Sequence, residues 1–315
     1  MDYISYWNTR GACGKGLLRN LKLLCNGPKP SILVLAETRS DNCKRFDTLK
    51  SLGYDTIRVM PSSGRSGGLV VAWSSLRVSV DVLEEDRQFF HLRCQFPQVP
   101  IFLLTVLYVI PHSDCRSLLW ENLHRLSRGV QYSWSVIGDF NDISSASERI
   151  GGKSANFRRM QWFNDRIHDC GLIDLGSVGP KMTWKGPRIS GCSRLYERLD
   201  RALANSAFLN QFTDAFVKVL PRTDFSDHNP LLLFVNNRQD LRRTTKPFRF
   251  EAMWMGHDSF SDFLRGNWSG PDNLHYNLEQ FRSQITDWNR DVFGLVEKKK
   301  SDLLSRLNGI QRSSS

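Results

Sequence analysis

The 315-residue sequence contains no apolar run of about 18 residues, the length a helix needs to cross a bilayer, so a membrane-spanning protein is not expected. Its start carries no charged-then-apolar leader, and no Cys-x-x-Cys pair occurs anywhere. The seven cysteines are odd in number and scattered from Cys13 to Cys192. They match neither a disulfide framework nor a zinc-ligand spacing, which leads us to expect reduced thiols and a nuclear or cytoplasmic rather than secreted protein. The Gly-rich turn of a dinucleotide-binding fold is missing as well. Negative charge is in short supply: 32 Asp and Glu face 43 Lys and Arg, giving a formal net charge of +11. That excess favours a polyanionic partner, and on charge alone nucleic acid and an anionic lipid surface are equally suited.

What is present reads as globular. Hydrophobic residues make up 40% and charged residues 24%, close to the averages for folded domains. The length allows one large domain and an appendage. Short apolar, β-branched runs predict strands over Ile32–Ala36, Leu69–Trp73, Phe89–Phe96, Ile101–Val109, Trp134–Gly138 and Leu231–Val235. Two of them, Leu69–Trp73 and Ile101–Val109, are almost wholly apolar, as a strand covered on both faces should be. Between the strands, Phe157, Met160, Phe163, Ile167 and Cys170 recur at helical spacing over 156–170 and stop at Gly171. A second helix is predicted over 116–127, carried by Leu118, Leu119, Leu123 and Leu126. Mixed strands and helices of this kind point to an α/β sandwich with helices outside central sheets.

The texture changes after Val235. Residues 236–247 are polar and basic, as in a linker. Beyond them Leu274, Leu278, Phe281, Ile285, Trp288 and Val292 form a heptad-like stripe on one long helix. A second helix with Leu303, Leu304, Leu307 and Ile310 is expected after Gly294, beside Lys298-Lys299-Lys300. An apolar stripe without an obvious partner suggests a piece of a longer protein. We therefore divide the chain at 236, with a catalytic domain over 1–236 and a basic linker and helical extension over 237–315.

Four short signals place acceptor or titratable groups at strand ends. They are Trp7-Asn8 after Tyr3–Tyr6, Glu37 after Ile32–Ala36, Gly138-Asp139-Phe140-Asn141 after Trp134–Ile137, and Ser226-Asp227-His228 before Leu231–Phe234. A carboxylate where a buried strand emerges is held rigidly and can bind a hard cation through oxygen, although such a Glu, taken alone, is more often a solvated rim residue. Asp139 and Asn141, two apart in an extended turn, would face one pocket; the same residue types also stabilise turns through their own backbone. His228 can move a proton or steady developing charge if a carboxylate orients its other nitrogen, and Asp200 in Arg198-Leu199-Asp200-Arg201 is the candidate. An ordinary surface Asp-His pair is the competing reading.

In this order the four signals resemble the endonuclease/exonuclease/phosphatase superfamily, over about residues 2–235. Within it the sequence looks most like plant LINE-type (non-LTR) retrotransposon endonucleases, on Ser5-Tyr6-Trp7-Asn8-Thr9-Arg10-Gly11, Leu35-Ala36-Glu37-Thr38, Gly64-Arg65-Ser66-Gly67-Gly68-Leu69, Gly138-Asp139-Phe140-Asn141 and Arg198-Leu199-Asp200-Arg201. The segments Lys246–Glu251 and Trp288–Phe293 resemble the linker that precedes a reverse transcriptase in such polyproteins.

The resemblance implies a four-layer α/β sandwich, two packed mixed sheets flanked by helices, and a DNA-nicking phosphodiesterase dependent on Mg²⁺, or Mn²⁺ in its place. It implies Glu37 as chief metal ligand, with Asn8 and Asp227 around the metal. Asp139 would activate the attacking water, Asn141 would touch the scissile phosphate, and His228 held by Asp200 would donate to a phosphate oxygen. Tyr108 falls at a phosphate-contacting tyrosine of the family, and reads equally well as a core aromatic.

Arg65, Lys185 and Arg188 are the candidate DNA contacts, with Lys153, Arg158, Arg159, Lys181 and Arg194 near them and Trp162 and Trp184 interleaved. Implied partners are double-stranded DNA and a reverse-transcriptase domain of the same polyprotein. Two other readings stay open: a phosphodiesterase of the same fold acting on a non-DNA substrate, and an inactive nucleic-acid-binding remnant.

Overall fold

The computed structural model describes residues 2–11, 16–24, 29–62, 67–129, 132–152, 154–188, 193–236 and 252–268, with scattered positions between 277 and 292. The chain divides into two compact units, Met1–Lys246 and Pro247–Ser315.

The strands of the first unit begin with β1 (Asp2–Asn8), β2 (Ile32–Ala36), β3 (Thr56–Met60), β4 (Leu69–Trp73) and β5 (Ser79–Asp86). Next come β6 (Phe89–Gln95), β7 (Phe102–Tyr108), β8 (Trp134–Asp139), β9 (Arg149–Ile150) and β10 (Leu172–Asp174). The last five are β11 (Trp184–Lys185), β12 (Tyr196–Glu197), β13 (Asp200–Asn205), β14 (Phe216–Val219) and β15 (Leu231–Asn236). They form two six-stranded mixed sheets, in the orders β14-β15-β1-β2-β4-β3 and β10-β13-β8-β7-β6-β5, and a small sheet β11-β12-β9.

Alternation explains why the central strands read as continuous apolar runs. Ile4 and Tyr6 of β1, Val34 of β2, Val106 of β7 and Ile137 of β8 meet in the core between the sheets. Their neighbours point outward under helices: Trp7, Leu33 and Leu35 pack against Leu17 and Leu21 of α1 (Gly16–Leu24) and against Phe46 and Leu49. On the other sheet Leu107, Trp134 and Leu203 pack against Leu119, Trp120 and Leu123 of α2 (Ser113–Gly129) and Phe163 of α3 (Phe157–Asp169). Both faces of each sheet are thus covered, and the four-layer sandwich is realised.

Local signals set the boundaries of α3. The Asn156 side chain caps its start by accepting from the Arg159 N–H, and Gly171 ends it at φ +63°.

Several expectations change. Asp139 belongs to β8, and Ile101 lies before β7 with 38% exposure. The acidic edge strand β5 alternates exposed and half-buried positions, a pattern typical of a sheet edge that discourages pairing with other chains. In the second unit, the apolar stripe does have a partner: Phe281 and Ile285 are buried with Trp254 and Phe260, the latter on α4 (Phe260–Asn267), while Leu278 is exposed. Leu274, the linker beyond Asn236, the helix expected over 303–310 and Lys298–Lys300 lie outside the described residues. Among the described residues no helix is long and apolar enough to cross a membrane, and Cys94, Cys115 and Cys170 are free thiols.

Candidate active site at the rim of the two sheets

Topology gathers the candidates. Strands β1 and β2 run parallel and finish together at Asn8 and Ala36, which delivers Glu37 to the rim. In the other sheet β7 and β8 are parallel, with Tyr108 beside Asp139, and the antiparallel β13 sets Asp200 beside Asp139 in turn. His228 arrives just ahead of β15, whose first residue pairs with Tyr6. Trp7 fixes that approach by donating its indole N–H to the His228 carbonyl at 3.1 Å, across 221 residues of sequence.

A cavity of about 370 Å³ opens there, and Glu37, Tyr108, Asp139, Asn141, Asp227 and His228 are all among the residues that line it. Asp200 lies beneath it, its Oδ2 2.8 Å from His228 Nδ1. The other ring nitrogen, Nε2, is 3.8 Å from Asp139 Oδ2, beyond direct hydrogen bonding. Asn8 does not reach the cavity: its Nδ2 donates to Asp139 Oδ2 at 2.8 Å, and its Oδ1 accepts from the Arg10 N–H. Asn8 thus fixes Asp139.

The hydroxyl of Tyr6 links the two sheets beneath the site. It donates to the Leu107 carbonyl and accepts from the Asp139 N–H, both at 2.9 Å. Burial is the largest influence raising its pKa, with Asp139 and Asp200 adding to it, so it stays protonated. Gly138 allows the close approach, because a Cβ there would overlap the Leu107 carbonyl oxygen.

Electrostatics divide the roles. Burial first, then repulsion from Asp200, raises the Asp139 pKa; His228 and hydrogen bonds from Asn141 and Asn8 pull against it. For His228, burial is the largest influence and lowers the pKa, yet Asp200, Asp139 and Asp227 together outweigh it and push it up to about 9. The imidazole is therefore a cation at neutral pH, with Nδ1–H held by Asp200 and Nε2–H aimed at the cavity. Burial keeps the Tyr108 hydroxyl protonated too.

The turn after β8 is not extended. Asn141 has φ +51°, so the alternation that would put its side chain beside that of Asp139 does not operate. It reaches the cavity because its amide donates to the Val109 carbonyl at 2.6 Å while its N–H donates to Asp139 Oδ1. Among the described residues five non-glycines have positive φ, and four of them line the cavity: Arg10, Glu37, Arg39 and Asn141. Such backbone costs on the order of 1–3 kcal/mol per residue and clusters where a site dictates geometry. Nothing in the sequence signalled it.

The carboxylates suit a hard cation. Arg39 engages Oε1 of Glu37, and Arg10 and Trp184 engage Oδ2 of Asp227. Asp227 Oδ1 is buried without a hydrogen-bond partner among the described residues, an orphan that an oxygen-seeking ion would satisfy. Asp139, Asp200 and His228 also bring ligand atoms within 4.8 Å of one another. The Asp200–His228 hydrogen bond and the pairing of β13 with β8, which sets Asp200 beside Asp139, already account for that approach.

Other sequence candidates fall differently. Lys185 lines a neighbouring cavity, Arg188 is exposed, and Arg65 and Lys153 lie outside the described residues. Arg159 is committed to Asp142 and to the Asn141 carbonyl, and Trp162 packs against the helix-side core. Sequence reasoning missed Arg10, Arg39, Asp142 and Glu197 on the cavity wall. A buried network holds the loop behind them: fully buried Arg201 and Arg198 share Glu148 and Asp174, and Arg201 also donates to the Asp142 carbonyl.

The family model described as Endonuclease/Exonuclease/phosphatase matches residues 5–228. Among solved structures, a 3'-5' exonuclease from Neisseria meningitidis superposes at TM-score 0.55 with 18% identity, over 74% of this chain and 99% of its own. An AP endonuclease from Leishmania major gives 0.59 at 17% identity, over 75% and 87%. The endonuclease domain of TRAS1, a telomere-specific non-LTR retrotransposon, gives 0.55 at 16%, over 76% and 100%. No curated protein sequence matches.

Proposed function

The chain belongs to the endonuclease/exonuclease/phosphatase family, and from that premise we propose that it hydrolyses DNA phosphodiester bonds in a divalent-metal-dependent reaction that nicks the strand internally. The observation that carries this is the Asp200-oriented His228 cation facing Asp139 across the same cavity that Glu37 and Asp227 line.

Glu37 and the orphan oxygen of Asp227 would hold the metal, Mg²⁺ or Mn²⁺. When bound, such an ion neutralises non-bridging phosphate charge and acidifies bound water. Asp139, its pKa raised toward neutrality, takes the proton of the attacking water. Asn8 holds that carboxylate in place, and Tyr6 holds the Asp139 backbone through its N–H. His228 donates from Nε2 to a phosphate oxygen, and Tyr108 and the remaining amide N–H of Asn141 add neutral donors where negative charge builds.

DNA as substrate is supported by the formal charge of +11 and by structural neighbours that include a Neisseria 3' phosphatase bound to a product DNA hairpin, a retrotransposon endonuclease domain and a 3'-5' exonuclease. Kinship with plant LINE-type elements, and a reverse-transcriptase partner, rest on the sequence motifs alone.

Nicking of supercoiled plasmid with Mg²⁺, against an EDTA control, tests the reading. Glu37→Ala and His228→Ala should each lower the rate about 10²-fold or more. If both variants nick as well as the parent, the assignment is wrong. Release of phosphate from inositol polyphosphates without nicking would move it to another substrate.

A further inference from the structure

A second cavity of about 360 Å³ adjoins the first, and the two share Arg10 and Asp227 as a common wall. Their charge balance differs. Each arginine of the first cavity is paired with a carboxylate of the same wall: Arg10 with Asp227, Arg39 with Glu37, Arg149 with Glu197 and Arg159 with Asp142. The second is lined by Arg10, Lys185, Arg194 and Arg222 against only Asp224 and Asp227. Among the described residues no ion pair engages Lys185 or Arg194, and Arg222 reaches only the Asn229 amide oxygen at 3.4 Å.

Strand alternation sorts the side chains between the two cavities. The Lys185 N–H is tied to the Asp227 carbonyl at 2.9 Å, so β11 runs alongside the Asp227–His228 segment. Successive strand residues face opposite ways. Trp184 accordingly lines the first cavity and donates to Asp227 Oδ2, while Lys185 lines the second. Phe225, packed on Trp7 at 5.5 Å, gives the second cavity an apolar wall.

We propose that this basic cavity is a second phosphate subsite, which holds the backbone phosphate next to the scissile one as the strand passes over the Asp227–Arg10 wall. The inference rests on the phosphodiesterase reading of the first cavity and extends it: the substrate must present two phosphates on a short linker, and a nucleic-acid strand fits the excess of unpaired cations beside an apolar surface. An isolated phosphomonoester would leave this subsite unused. Inositol polyphosphates share the paired-phosphate chemistry and form a separate arm of the test.

The experiment measures binding of a duplex oligonucleotide to the full chain in EDTA as a function of salt. Each phosphate neutralised contributes roughly 0.9 to the slope of log K against log salt. Lys185→Gln/Arg194→Gln should therefore reduce the slope by about 1, while Lys185→Arg/Arg194→Lys should retain the parental value. A series of duplexes each carrying one neutral methylphosphonate should contain a position, adjacent to the bond the parent cleaves, that weakens the parent at least several-fold and leaves the glutamine variant indifferent. An unchanged slope and interference pattern in the glutamine variant would overturn the subsite, as would an effect on inositol hexakisphosphate binding without one on the oligonucleotide. A parent that never nicks but shows the slope difference would sink the catalytic reading and leave the subsite standing.

Discussion

Tyr6→Phe isolates the joint between the sheets from everything else at the site. The ring remains, so core packing is conserved; only the hydroxyl that donates to the Leu107 carbonyl and accepts from the Asp139 N–H is removed. Both orphaned groups are buried, and each costs about 1–3 kcal/mol when left without a partner. A loss of about 3 kcal/mol follows, which for a unit of this size corresponds to a fall of roughly 6–12 °C in Tm. The damage should also be local. Asp139 would lose one of its backbone anchors, so nicking should drop by more than the small change in folded fraction explains, and amide exchange at the Asp139 N–H should accelerate ahead of its neighbours. Calorimetry, hydrogen exchange and plasmid nicking on the same preparation read all three. If Tyr6→Phe melts within about 1 °C of the parent and nicks normally, the hydroxyl is not what holds the site together.

Further expectations concern charge and close approach. In metal-free protein His228 should titrate near 9 by NMR, and because its folded value lies above the unfolded one, about 6.5, the associated stabilisation is complete below about 6.5 and is lost as pH rises through about 9. Asp200→Asn removes the largest influence raising that value, so the histidine should titrate lower and nicking at pH 8 should fall about 10²-fold; an unmoved titration would contradict the pairing. Asp174 is held down to about 2 despite burial by Arg198 and Arg201, so urea midpoints should hold above pH 4 and then drop, by about 2 kcal/mol for this group, as pH falls toward 2. Gly138→Ala forces β8 away from β7 and should cost about 3 kcal/mol or more together with all activity; a stable, active variant would refute the close packing.

Where burial on both faces made the strands apolar, the sequence could be read directly: β2, β4, β7 and β15 follow from their composition, and the site residues at their ends follow from them. β13 escaped because its first two residues, Asp200 and Arg201, are charged, and only the partners His228, Glu148 and Asp174, distant in sequence, make their burial tolerable. β5 escaped because, as an edge strand, it carries four acidic residues among eight: Asp81, Glu84, Glu85 and Asp86. Asn141 was assigned to the pocket on an extended geometry that its positive φ contradicts, and it arrives there by a turn instead. Nothing in the sequence marks Arg10 for the site, since Asp227, the carboxylate it meets, lies 217 residues away and comes close only when β15 pairs with β1.

β1 pairs on one side with β2 and on the other with β15, the last described strand of the first unit. A growing chain on the ribosome must therefore hold its opening strand unsatisfied along one edge until residue 236 has emerged. Neither the histidine nor its neighbouring aspartate can reach the rim before then. Amino-terminal fragments that stop short of this strand should be inert and prone to stick to one another, and the hydrolytic activity becomes available only to a completed domain.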